Sequence, residues 1–169
     1  MTPKLKPSVT ANRLSSTSRV TPSTILGSRA AHNDARWTDI CAALDALRER
    51  GRHSVRIVDA DCSCGTLLIE AARHARTLGF TAIEVRGIDG SPAMIGRART
   101  AAARLHEPAI GLTFEVADIV DALAGEADFP ADIVLWHGSR AINDRPGLRE
   151  SLVNAGDLLI ADRDQVRAA

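Results

Sequence analysis

Residues 82–105 read AIEVRGIDGSPAMIGRARTAAARL, and the reading of this stretch decides the fold. A run of apolar and β-branched residues from Ala82 to Ile88 stops at the turn pair Asp89-Gly90. Ser91 and Pro92 follow where a helix places its N-cap and its first residue. The serine hydroxyl can accept from an otherwise unpaired N–H, and proline has no N–H to leave unpaired. The pattern therefore predicts a strand over 82–88 and a helix from Pro92 to about Leu105. A strand that feeds directly into a helix is the first half of a parallel crossover.

The same alternation extends in both directions. Val55-Arg56-Ile57-Val58 reads as a strand, Asp59 to Gly65 as a turn, and Thr66 to about Leu78 as a helix stopped by Gly79. Before these, Trp37, Ile40, Cys41, Leu44 and Leu47 share one helical stripe that begins near Asp34 and ends at Gly51. Downstream, Ile110 to Val116 predicts a third strand and Val120 to Ala127 a short helix. Ile133 to Trp136 predicts a fourth strand, Pro146 to Val153 a brief helix, and Leu158 to Ile160 a fifth strand. Short apolar strands separated by helices specify a doubly wound α/β fold, a mainly parallel sheet with helices on both faces.

Composition narrows the classes. An apolar share of 45% over 169 residues is enough for one sizeable core. No apolar run approaches the ~20 residues of a membrane span, and the start has no signal-type hydrophobic stretch, so a cytoplasmic protein without a membrane role is expected. Residues 1–33 are rich in Ser, Thr, Pro, Lys and Arg without an apolar period. They are expected to be a disordered basic leader ahead of a folded domain at 34–169. An acid-free, Arg- and Ser-rich start also suits an organellar transit peptide.

The formal charge is zero, but the five basic residues before Asp34 have no acidic neighbours, and the remainder carries 16 basic against 21 acidic residues. A nucleic-acid partner, which calls for a basic stripe on the folded part, is disfavoured. Cys41, Cys62 and Cys64 are odd in number and complete no tetrahedral ligand set, so reduced thiols and no metal site are expected.

In open α/β sheets the ligand lies beyond the carboxyl ends of the strands. Asp59, Asp89, Asp118 and His137 fall there, an acid after each of three strands and a histidine after the fourth. Each acid also has a plainer reading as a turn residue, and His137 as a turn histidine before Gly138.

The segments VRIVDADCSCGT, VRGIDGSPAMIGRAR, LTFEVADI and ADIVLWHG, in this order, resemble the first four sequence blocks of class I (Rossmann-like) S-adenosylmethionine-dependent methyltransferases. The resemblance covers Val55 to about Ile160. It implies S-adenosylmethionine (SAM) as cofactor and, together with right-handed crossovers, the strand order 3-2-1-4-5. Position by position, it implies that Asp59 lies near the methionyl ammonium. Asp89, followed by Gly90, would accept from the ribose hydroxyls, and Met94 would lie near the adenine, though a thioether also serves as core filler. Asp118 would accept from the adenine amine, with the Ile119 N–H offered to a ring nitrogen. Trp136 and His137 would flank the methionine part and the acceptor, with His137 as the candidate base.

Two departures stand out. The family's first block alternates three glycines after its acid, where this chain has Asp61, Ser63 and Gly65. Glycine serves there by adopting positive φ and by letting backbone approach a ligand, yet aspartate also visits that region and serine adds little bulk. The family also adds two strands after the fifth, and the sequence ends at Ala169 before both. An uncovered fifth-strand edge is thus expected, with homo-oligomerisation through it as one way of covering it. The functional reading is methyl transfer from SAM to an unidentified acceptor, a small molecule by preference, with a protein side chain also open. Its alternative is a degenerate, non-catalytic relative acting through SAM binding or a protein partner. A nicotinamide-dependent oxidoreductase ranks last, because G-x-G-x-x-G is missing after the first strand.

Overall fold

A computed structural model of the protein describes residues 26–138 and 145–162. The first 25 residues of the expected leader lie outside the described residues. The elements, in chain order, are α1 (Leu26–His32), α2 (Trp37–Glu49), β1 (Ser54–Ala60), α3 (Thr66–Thr77), β2 (Ala82–Asp89) and α4 (Pro92–Ala102). They continue with β3 (Ile110–Val116), α5 (Ile119–Ala124), β4 (Ile133–Trp136), α6 (Leu148–Asn154) and β5 (Leu159–Ala161). The five strands form one sheet in the order β3-β2-β1-β4-β5, and every pairing is parallel. This is the expected doubly wound order.

Strand alternation sorts the core into two layers. Val55 and Ile57 of β1, Ile83 and Val85 of β2, Ile133 and Leu135 of β4 and Ile160 of β5 pack with α2, α3 and α4. Val58, Ala60, Ile88, Val134 and Trp136 pack on the opposite face with α5 and α6. On that second face the carboxylate of Glu126 is buried and held by Arg56 at 2.5 Å and by Arg86. No helix among the described residues is long and apolar enough to cross a membrane.

Local chemistry explains the element boundaries. Ser91 caps α4 by accepting from Met94 N, with Pro92 as first helical residue. Asp118 caps α5 by accepting from the Val120 and Asp121 N–H groups, so that helix begins at Ile119. β1 runs two residues further than expected, to Ala60. Asp59 therefore sits in the sheet, opposite Gly87 on one side and Leu135 on the other.

The largest difference is at the start. Residues 26–33 were expected to belong to the unpacked leader, but they contain α1, which packs on α3. Ala31 is 2% exposed, and Ser28 Oγ donates to Glu70 Oε2 at 3.0 Å. His32 Nε2 is 3.2 Å from Glu70 Oε1, and its ring stacks at 4.6 Å on Trp37. Among the described side chains of this helix only Ala31 is buried, and a single alanine gives no apolar period to read in the sequence.

Candidate functional site

The mouth of the sheet is organised by the turn between β1 and α3. Asp61 (φ 71°) and Ser63 (φ 54°) adopt left-handed backbone, as does Gly65 (φ 71°). The loop thus alternates left-handed residues at 61, 63 and 65, at a cost of roughly 1–2 kcal/mol for each one bearing a Cβ. Backbone hydrogen bonds hold it there, since Asp61 N and Cys62 N both donate to Ile88 O at 2.8 Å. Gly65 is retained for a further reason: a Cβ on it would stand 2.6 Å from the Phe114 ring.

Asp89 ties this loop to the next helix. One carboxylate oxygen accepts from Ser63 N at 2.9 Å and the other from Ser91 N at 2.7 Å. Ser63 Oγ lies 3.8 Å from the sulfur of the half-buried Met94, and Gly90 is exposed at the turn between them. Asp118 has its carboxylate 2.5 Å from Arg145 Nη1, and that guanidinium holds its carboxyl below the ordinary range. The Ile119 side chain is buried in the second core layer.

Of the candidates, Asp59, Asp61, Ser63 and His137 line one cavity of about 250 Å³, together with Asp34 and Arg36 from the N-terminal segment, and Gly65 lies outside its lining. Asp89, Met94 and Asp118 lie outside its lining, along the mouths of β2 and β3. Trp136 differs from expectation. Its indole is 5% exposed and packs in the second core layer, because alternation along β4 sends Val134 and Trp136 to the α5–α6 face. It does not line the cavity.

Two residues missed in the sequence complete the arrangement. Arg36 is 6% exposed, and Asp34 grips it through Nε and Nη2, both at 2.9 Å. Its Nη1 is 3.9 Å from Asp59 Oδ1 and its Nε 3.5 Å from Asp162 Oδ1. Asp162, just beyond β5, also approaches His137 Nδ1 at 2.5 Å. The chain Asp59–Arg36–Asp162–His137 thereby joins the ends of β1, β4 and β5 to the turn before α2.

The electrostatics are unusual for a carboxylate. Burial pushes the Asp59 carboxyl up to about 7; Arg36 opposes the shift, and Asp61, Asp34 and Asp89 reinforce it. At Asp34 burial works in the same upward direction, but hydrogen bonds from Arg36 outweigh it and hold the carboxyl below its usual value. The Cys62 thiol is pushed up, first by burial and then by Asp59, Asp89 and Asp61, so it stays protonated and unreactive. Asp59 Oδ1 and Arg36 Nη1 are both buried without a hydrogen-bond partner among the described residues. Buried polar atoms left so are costly, and they suit a ligand that brings the missing partners.

A family model described as a methyltransferase domain matches residues 52–159. The chain belongs to that family. The cofactor of such a domain, SAM, agrees with the expectation from its sequence blocks, and the orphaned atoms at the cavity fit a polar, charged ligand head. Among solved structures, WbdD is 19% identical, with 78% of this chain and 30% of that chain covered and a TM-score of 0.57. A SAM-dependent methyltransferase from Agrobacterium tumefaciens is 17% identical over 75% of this chain and 44% of that chain, with a TM-score of 0.53. Magnesium protoporphyrin IX methyltransferase from Synechocystis PCC 6803, with bound SAM, is 21% identical over 78% and 59%, with a TM-score of 0.48. The chain thus spans less than two thirds of the length of these structures. These likenesses concern the fold. A search of curated proteins finds no match to the sequence.

Proposed function

We propose that the chain transfers a methyl group from SAM to a small-molecule acceptor, with Asp59, Asp61, Ser63 and Gly65 around the methionine half of the cofactor. Asp89, Gly90, Met94, Asp118 and the Ile119 N–H serve its nucleoside half. One observation carries this reading: Asp61 and Ser63 keep left-handed backbone without glycine. Strain of this kind persists where the surroundings over-determine it, and it concentrates at ligand sites. A loop released from ligand binding would be free to relax toward ordinary φ.

When bound, SAM supplies an electrophilic methyl on a sulfonium. The protein's own part is to orient the acceptor and take its proton. His137 lines the cavity with the Asp162 carboxylate 2.5 Å from its Nδ1, and this placement supports His137 as a general base acting through Nε2. Asp162 is a positioning residue in this scheme. A surplus of acids at the cavity supports a small neutral or cationic acceptor over nucleic acid. The β5 edge, last in the sheet order, is the surface we assign to self-association.

A second reading, a relative with weakened cofactor binding, is favoured by Arg145, which holds the Asp118 carboxylate that adenine would need. Calorimetric titration with SAM, followed by measurement of S-adenosylhomocysteine formed in the presence of a panel of amines, phenols and carboxylates, separates the two. Saturable binding with turnover supports the enzyme, and the absence of SAM binding removes it.

A further inference from the structure

A second cavity, of about 110 Å³, lies where α1, α3 and α4 meet, and the methyl-transfer reading leaves it unused. Ile69, Ala101 and Leu105 give it an apolar wall, and Arg73 of α3 and Arg104, just past the end of α4, line it as well. An open groove continues from it along α4, sharing Ala101 and Arg104 and adding Arg97. None of these three arginines has an ion pair or a side-chain hydrogen bond among the described residues. Their neighbours do: Arg76, one turn along α3 from Arg73, is 3.3 Å from Glu107, and Arg99 donates to Phe114 O. Glu70, the one acid in the cavity lining, is already engaged, because it accepts from Ser28 Oγ at 3.0 Å and lies 3.2 Å from His32 Nε2. An apolar hollow thus has two cations beside it and no free anion among the described residues.

We propose that this cavity binds a short-chain carboxylate, with the alkyl chain against Ile69, Ala101 and Leu105 and the anionic head on Arg73 and Arg104. A guanidinium meets a carboxylate through paired N–H donors, and an apolar hollow offers water few partners. A bare anion would leave the hollow unfilled, and a neutral hydrocarbon would leave the guanidinium groups unmet. Two arginines against one acid leave a single positive charge in the lining, which matches a monoanion. The site is distinct from the cavity at the end of β1, but Thr66 and α1 wall both, so an occupant here bears on elements that enclose the other. The proposal does not depend on SAM binding. The competing role is that of arginines solvated on a helical surface, with no ligand preference beyond charge.

A chain-length series separates the two roles. Amide chemical shifts of the full chain are followed during titration with acetate, propanoate, butanoate and pentanoate, and with pentylamine and pentanol as controls. A volume of 110 Å³ is roughly that of four liquid waters, and so takes a chain of about four carbons. Affinity should therefore rise up to about four-fold per added methylene as far as pentanoate. The shifts should centre on Ile69, Arg73, Ala101 and Arg104. Pentylamine and pentanol should bind at least about ten-fold more weakly than pentanoate, as should pentanoate to the Arg73→Gln/Arg104→Gln variant. Ala101→Leu, which fills the hollow and keeps both arginines, should remove the gain with chain length.

An affinity that does not rise with chain length in the wild type overturns the proposal and leaves the arginines as surface charges. Binding of pentylamine as tight as that of pentanoate overturns it too, as does undiminished pentanoate binding by the folded double variant. If the double variant does not fold, the wild-type series and Ala101→Leu decide between the roles.

Discussion

Asp59→Asn is expected to stabilise the ligand-free protein while abolishing its grip on the cofactor. The Asp59 carboxyl is raised from 3.8 to about 7 in the folded chain, chiefly by burial. A group whose folded pKa lies above its unfolded value favours the fold when protonated. Its contribution is complete below pH 3.8 and is lost as pH rises through about 7. Three pH units at about 1.4 kcal/mol each set a ceiling of roughly 4 kcal/mol lost by pH 8, and relaxation around the ion brings the expected figure nearer 2 kcal/mol. Asparagine keeps the shape and removes the titration. Urea unfolding of both proteins between pH 3.5 and 8.5 should therefore give curves that start together, separate from about pH 4 to pH 7 and then run parallel, with the variant about 2–4 kcal/mol more stable at the alkaline end. Asp34 and Asp118 have folded pKa values below their ordinary ones, so their contributions fade only on acidification below about pH 4 and leave this window clear.

The same proton is linked to binding. An ammonium beside Asp59 requires the ionised carboxyl, so cofactor binding below about pH 7 should release close to one proton. Affinity should fall up to ten-fold for each pH unit below that point. Arg36, Asp61, Asp34 and Asp89 are the charged groups that set the midpoint. Calorimetry in buffers of different ionisation enthalpy counts the proton directly. A variant less stable than wild type at pH 8, or a stability difference that does not change with pH, would refute the reasoning.

Four further outcomes are expected. Asp61→Gly with Ser63→Gly should shift the pH midpoint of SAM binding downward, because the Asp61 carboxylate is one of the charges raising Asp59; an unmoved midpoint would place Asp61 outside the cofactor's field. Arg145→Ala should tighten SAM binding by freeing Asp118 for the adenine amine, and weaker binding would show that Arg145 itself holds the cofactor. Gly65→Ala should cost at least about 2 kcal/mol in urea unfolding, from a Cβ 2.6 Å from Phe114 and a positive φ of 71°. Deleting residues 1–33 should lower the melting temperature by several degrees, since α1 packs on α3 and Ala31 is buried; an unchanged value would return residues 26–33 to the leader.

What was legible in the sequence was local. Ser91-Pro92 behind Asp89-Gly90 marked the β2–α4 unit through capping chemistry that acts over four residues, and strand–helix alternation carried the parallel class of the sheet, while its order followed from right-handed crossovers together with the family resemblance. Arg36 and Asp162 were not legible, because a single arginine two residues after an aspartate and an aspartate after a short strand look like solvated surface charges. Their separation in sequence is closed only by the topology, which brings the end of β5 to the turn before α2. Trp136 failed for a different reason. Its position at a strand mouth suggested the ligand, while its parity along β4, shared with Val134, points it into the core.

The altered glycine loop and the N-terminal segment have a common electrostatic logic. Asp61 puts a carboxylate into a cavity that already contains Asp59, and the mutual repulsion helps keep Asp59 protonated near neutral pH. That change is tolerable only where a compensating cation is at hand. In the ligand-free chain Arg36 is that cation, held in place by Asp34 and drawn also toward Asp162. Neither Arg36 nor Asp162 lies within residues 52–159, the part matched by the methyltransferase family model. The family's fold thus delivers Asp59 and the loop to the strand mouths, while the flanking residues balance their charge. The Asp61 carboxylate then adds negative charge that Arg36 offsets only in part, and a cationic group entering the cavity would offset the remainder.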